Sequence, residues 1–208
     1  MELTFYITAF VTLFVIIDPV GLAPLFVAIT PGASARERRA IAARACLIAV
    51  FLLALFGFFG EAVLGFAGIS MPAFRIAGGI LLFLTALEML FERRAKRRED
   101  QTEEDRPDPS VFPLATPLLA GPGSMATMIL LTGEVEGDLA SQAMIIGVMA
   151  VVVGSAFLLF LSAGLLERAV GKTGINVITR LLGMLLAALS VQFVLDGMRD
   201  FGISLGAG

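Results

Sequence analysis

The sequence has no histidine and no tryptophan, and only one cysteine and one tyrosine in 208 residues. Without histidine it lacks the commonest metal ligand and the usual side chain that titrates near neutral pH. Cys46 has no second cysteine to pair with, so no internal disulfide forms. Lying inside an apolar block, it reads as a small buried hydrophobe. No glycine-rich phosphate loop is present, so ATP-driven pumping would need a partner to supply the energy. No metal site, cofactor or nucleic-acid partner is expected. An enzyme is not expected either, because neither histidine nor paired aspartates lie deep in the apolar blocks.

What the sequence does have is apolar length. Hydrophobic residues make up 58% of the chain, and mean hydropathy is +0.93. They gather in six blocks, at about 3–29, 38–64, 71–91, 112–132, 140–166 and 175–198. Each is long enough to cross a hydrocarbon core of ~30 Å as a helix. The blocks are continuously apolar and do not alternate, which disfavours a β-barrel. The fold class is therefore an all-α integral membrane protein. The first block has no basic stretch before it and no small-residue cleavage pattern after it, so it is expected to be retained as a span.

Basic residues set the orientation. Arg36, Arg38, Arg39 and Arg44 flank the first connection. Arg93, Arg94, Lys96, Arg97, Arg98 and Arg106 fill the third, and Arg168, Lys172 and Arg180 flank the fifth. Connections 65–70 and 133–139 contain no lysine or arginine. Odd connections are expected in the cytoplasm and both termini outside, in the cytoplasmic (inner) membrane. The long third connection, basic and then acidic, reads as a solvated linker; its basic half could also touch anionic headgroups.

The two halves echo each other. Pro19 and Pro122 interrupt the first and fourth blocks, 103 residues apart. Gly65–Ile69 and Gly171–Ile175 end the second and fifth at an offset of 106. Arg75-Ile-Ala-Gly78 and Arg180-Leu-Leu-Gly183 open the third and sixth at an offset of 105. Three matches in one order indicate duplication. Three spans per half is an odd number, so the second copy sits upside down. The expected organisation is repeat 1 over 1–91, a cytoplasmic linker over 92–111 and an inverted repeat 2 over 112–208, with the first and fourth helices broken. This is a known secondary-transporter plan.

The breaks, Asp18-Pro19-Val20-Gly21 and Gly121-Pro122-Gly123-Ser124, fall near half depth. Proline suits the first turn of a helix, and Asp or Gly can stand just before it. Each break therefore starts a half-helix whose first amides have no partner within the helix and carry the positive dipole end. Two such ends near the midplane suit an anionic group such as a carboxylate. Asp18 can cap the first end through the amides of Val20 or Gly21. Gly121 has no side chain, so the second end is expected to stay open, with Ser124 and Thr127 nearby. Asp18 is either a structural cap alone or also a partner for a substrate ammonium.

Other polar positions are weaker. The Thr116 hydroxyl either lines the site or bonds its own helix backbone. Arg75 and Arg180 hold matching places at opposite faces, where they snorkel to headgroups or line the two mouths of a pathway. Glu88 is the deepest of the remaining acids and a minor candidate for proton coupling. Asp196, near the end of the last block, carries little weight.

The stretches "DPVGLAPLF" and "PLATPLLAGPGS", with six spans and a long charged middle connection, resemble the MarC family of bacterial and archaeal inner-membrane proteins. Asp18, Pro19 and Gly21 match the first motif; Gly121, Pro122, Gly123 and Ser124 match the second. The resemblance implies a transporter of small neutral amino acids such as glycine and alanine, with protons as a candidate coupling ion. The residues themselves lead as far as a transporter that accepts a carboxylate, and the leading reading is a small zwitterion moved by alternating access. Efflux of other small metabolites or drugs and a non-transporting membrane role stay open, as do the direction of transport and the oligomeric state.

Overall fold

The computed structural model describes residues 3–91, 108–135 and 137–202. Glu136 and the basic run of Arg93, Arg94, Lys96, Arg97, Arg98 and Arg106 lie outside the described residues. The described chain is helical, in eight segments: α1 (Leu3–Ile17), α2 (Pro19–Ala28), α3 (Ala35–Phe66), α4 (Met71–Leu90), α5 (Ser110–Leu119), α6 (Pro122–Gly133), α7 (Leu139–Leu161) and α8 (Ala163–Asp200). Five spans are long and apolar enough to cross a membrane, and six when the bent α5–α6 pair counts as one. The protein is an all-α, multi-pass integral membrane protein.

Local sequence sets the helix starts. Ser34 accepts from the Glu37 amide while the Glu37 carboxylate accepts from the Ser34 amide, a reciprocal cap for α3. Ser70 caps α4 by accepting from the Ala73 amide. Asp138 caps α7 by accepting from the amides of Ala140 and Ser141. The last helix begins earlier than its apolar block suggests. It runs from Ala163 and turns at Gly171, whose φ of 70° suits glycine, before the apolar stretch Thr173–Asp200.

The broken spans are enclosed and the unbroken ones are not. In the most apolar stretch of α1–α2, 61% of residues are buried, against 17–33% in the intact spans. In α6, Gly123, Ser124 and every residue from Ala126 to Thr132 are buried. The outer helices turn large apolar side chains outward, among them Leu47, Phe51, Phe59, Leu158 and Leu181. A lipid-facing surface accounts for that pattern.

Small residues let the shell close on this interior. On α3, Ala42, Ala45, Ala49, Gly57 and Gly60 form an inward stripe. A Cβ at Gly60 would stand 2.3 Å from Ile129 of α6. Helices α4 and α8 pack antiparallel along a seam. Gly79 meets Ser190 and Val194, Gly183 meets Ala86 and Met89, and Gly197 meets Pro72 and Ile76. Helix α2 is held to α7 by stacked Phe26 and Phe160, with centroids 4.9 Å apart. Helix α1 is held to α7 by Tyr6, which donates to Ser141, whose hydroxyl in turn donates to Asp138.

Candidate functional site

The first break is one residue long. Asp18 stands between α1 and α2 at φ 54°, ψ 62°. This left-handed geometry is uncommon outside glycine, and aspartate is one of the residues that tolerate it. Backbone pairing continues across it, because the Asp18 amide donates to Phe14 O and the Leu22 amide to Asp18 O, both at 3.0 Å. The side chain is fully buried, and its Oδ1 accepts from the Gly21 amide at 3.0 Å. Of the two amides expected to meet this carboxylate, Gly21 supplies the bond. A Cβ on Gly21 would fall 2.2 Å from Asp18 Oδ2, so glycine is needed to leave the carboxylate room.

The second break is longer and less regular. Segment α5 is not a straight α-helix, since Phe112 (φ −132°, ψ 128°) and Thr116 (φ −131°, ψ 123°) are extended. The peptide bonds before Pro113 and Pro117 are cis. The Ala120 amide donates to Ala115 O in a wide final turn. The chain then bends by 53° into α6. Two prolines in "FPLATP" withhold amides that a regular helix would use, so this irregularity had a sequence signal.

At the start of α6 a hydroxyl turns backward. Ser124 Oγ accepts from the Gly121 amide at 2.9 Å and has the carbonyls of Leu119 (2.9 Å) and Gly121 (3.0 Å) within donating reach. Thr127 Oγ1 donates to Gly123 O at 2.9 Å. Both hydroxyls therefore work on their own backbone, as buried hydroxyls on helices commonly do. No side chain caps the first amides of α6. Gly121 lies against the preceding turn, with a built Cβ 2.5 Å from Pro117 O. Pro122 is exposed and Thr116 half-buried.

The two breaks are neighbours. A Cβ at Gly123 would come within 2.9 Å of Ile16 Cδ1, so the start of α6 touches the end of α1 two residues before Asp18. Asp18, Pro19, Gly121, Gly123, Ser124 and Thr127 are all buried at this junction, with Gly21 half-buried beside them. Sequence reasoning missed one participant. Thr179 of α8 donates to Asp18 Oδ1 at 3.5 Å, a long bond from a helix 161 residues away in sequence. Nothing local in the sequence could have announced it.

Arg75 lies away from the junction, whereas Arg180 directly follows Thr179, whose hydroxyl reaches Asp18. Arg75, near the start of α4, does not face lipid and pairs with Glu134 and Asp200. Glu88 is half-buried toward the other end of α4, and Arg180 is exposed on α8. Among the described residues, no group of three or more His, Cys, Asp or Glu is placed to hold a metal ion. Chemically, the junction offers one buried carboxylate already engaged with an amide, and one helix start whose first amides receive no side chain.

Comparison with known proteins agrees with this architecture. The description "MarC family integral membrane protein" matches residues 3–201. The chain is 36% identical to the UPF0056 membrane protein MJ1677 of Methanocaldococcus jannaschii, over 96% of this chain and 98% of the relative. It is 35% identical to the UPF0056 membrane protein YvbG of Bacillus subtilis, covering 96% of each. It is 33% identical to the UPF0056 inner membrane protein YhgN of Escherichia coli, over 93% of this chain and 95% of the relative. No solved structure matches it. A match that spans nearly every described residue, both breaks included, establishes that the chain belongs to the MarC family of integral membrane proteins.

Proposed function

We propose that this protein is a secondary transporter of small neutral amino acids, of the size of glycine and alanine, working by alternating access in the cytoplasmic membrane. One observation carries this: two interrupted spans meet in the buried interior, and the second begins with amides that no side chain caps. Such a helix start attracts a carboxylate through its N–H groups and its dipole. Asp18, beside it, supplies the opposite charge for an ammonium. A zwitterion fits both ends at once. The packing here is so close that a Cβ would not fit at Gly21, Gly121 or Gly123 unless a neighbour shifted, which favours cargo with a short side chain.

The two three-span halves are read as inverted repeats that rock about this junction, with both termini outside. Support comes from the matched breaks and from the antiparallel seam between α4 and α8, the third span of each half. The inner-membrane name of the Escherichia coli relative supports the assigned membrane.

The test is uptake of labelled glycine and alanine by proteoliposomes, with and without an imposed proton gradient. Saturable uptake, competed by each amino acid and abolished in Asp18→Ala, is expected. Absence of saturable uptake under either condition, with the protein shown to be folded, would remove the amino acid assignment. Stimulation by the gradient would identify protons as the coupling ion.

A further inference from the structure

Arg75 is only 13% exposed, although it stands one turn inside the start of α4. Its Nη1 donates to an Asp200 carboxylate oxygen at 2.6 Å, and its Nη2 lies 3.4 Å from Glu134 Oε1. Asp200 is the last residue of α8, and Glu134 directly follows α6. One guanidinium thus ties together the ends of three helices, one from the first half of the chain and two from the second. Glycines bring those helix ends close. A Cβ at Gly133 would be 2.6 Å from Met71 Cε, and one at Gly197 would be 3.0 Å from Pro72 O.

Helix α6 links this cluster to the junction. It is a single rod of 12 residues, ~18 Å long, with the second break at one end and Glu134 at the other. Leu130, one turn before Glu134, packs on Gly78 of α4, so the face of α6 that carries Glu134 runs along α4. Separating Glu134 from Arg75 would therefore free the rod along that face.

At an offset of 105, Arg180 corresponds to Arg75, Ile29 to Glu134 and Ala95 to Asp200, so the sequence does not repeat the two acidic partners.

We propose that Arg75, Glu134 and Asp200 form a latch that closes the face carrying the amino terminus, and that it must part in each cycle before the junction can be reached from that side. The proposal rests on the transporter reading for its purpose, but not for its test. The structure is then the latched state. Two carboxylates on one arginine suit this role. The guanidinium offers several donors in fixed directions, so one pair can part while the other holds register.

The experiment uses the full chain, reconstituted, with Cys46→Ala removing the native thiol. A cysteine probe is placed at Leu130, which is 0% exposed and lies one turn inside the latch. A second probe is placed, in a separate protein, at Thr30, 2% exposed near the other face. Labelling by a membrane-impermeant maleimide is followed in sidedness-controlled vesicles. Arg75→Gln is expected to raise the labelling rate at position 130 by roughly tenfold, the population change that a lost ~1.4 kcal/mol bias would give. Labelling at position 30 should stay level or fall. The double variant Glu134→Gln with Asp200→Asn keeps the arginine and should reproduce the effect. Unchanged labelling at 130 in both variants overturns the latch. A parallel rise at 130 and 30 also overturns it, because that reports general loosening. Faster labelling at 130 alone, in a protein that shows no amino acid uptake, would keep the latch and remove the cargo.

Discussion

At the first break a carboxylate reaches forward to an amide; at the second a hydroxyl reaches back to one. Asp18 accepts from Gly21, three residues on, and so occupies the start of α2. Ser124 accepts from Gly121, three residues before it, and thereby pairs the residue preceding α6 without covering the amides of the helix itself. Both solutions meet the rule that buried backbone donors must be paired. Only the first uses a charge, and only the second leaves its helix start without a side-chain cap. Two breaks at matched positions thus need not be two copies of one site. The first holds its own anion, and on the proposed reading the second is the end to which an outside anion comes.

The glycines at the breaks give the strongest way to break this comparison. At Gly121 an added Cβ would stand 2.5 Å from Pro117 O, which is backbone and cannot swing aside. At Gly21 it would stand 2.2 Å from the Asp18 carboxylate, which can rotate only by giving up its cap inside a buried site. At Gly123 it would meet the tip of Ile16, which has freedom to shift. Gly121→Ala and Gly21→Ala should each cost at least the ~1–3 kcal/mol typical of overpacking, and Gly123→Ala less. Thermal unfolding in detergent gives the order. A Gly123 variant less stable than the other two would show that the α1–α6 contact, not the break geometry, is the critical constraint.

Next in size is a pair of substitutions that should separate structure from transport. Ser124→Ala leaves the Gly121 amide without its acceptor and should cost about 1–3 kcal/mol of stability, the penalty for a buried unpaired donor. Asp18→Asn keeps an oxygen to accept from Gly21, so stability should change by less than that, while ammonium recognition is lost and uptake falls at least tenfold. If the asparagine variant transports as well as the parent at every pH, Asp18 is a cap and nothing more. Thr179→Val removes only a 3.5 Å bond to the same carboxylate and should fall between that outcome and no effect, with apparent affinity more sensitive than folding.

The breaks themselves were legible because their signals are local. Proline, glycine and a lone aspartate inside apolar blocks can be read without knowing what surrounds them, and both lie where the sequence put them. The Gly121–Ser124 spacing also hints at the backward cap, a three-residue reach of the kind seen in capping boxes. The irregularity of α5 had its sign in Pro113 and Pro117. The extension of α8 back to Ala163 was hidden by Gly171 and Gly174, which read as loop residues; helical turns stand on both sides of Gly171, which is itself non-helical at φ 70°, ψ 165°. Thr179 and the partners of Arg75 were illegible for another reason. They are brought together by packing between helix ends far apart in sequence, and no periodicity or motif records such a meeting. Isolated, Arg75 reads equally well as a residue reaching for headgroups.

The far ends of the two half-helices offer the finest test of their difference. Helix α2 runs out into Ile29 and Thr30, which are uncharged, whereas α6 ends at Glu134. Burial pushes the Glu134 carboxyl above its ordinary value, Arg75 pulls it partly back, and Asp196 and Asp200 push it up again. Net, the folded protein holds this proton more readily than the unfolded chain does. The stability linked to it is therefore complete below the ordinary glutamate value and is lost as pH rises through the raised folded value. Glu134→Gln removes that titration. Its melting temperature should match the parent on the acid side of this window and be no lower above it, because Arg75 retains Asp200. A variant that instead loses stability only above the window would mean that Arg75 returns more to the ionised carboxylate than burial takes. The latch would then be a fixed strut, not a contact able to part, and α6 would be anchored at this face as firmly as α2 is held by Asp18 at the break.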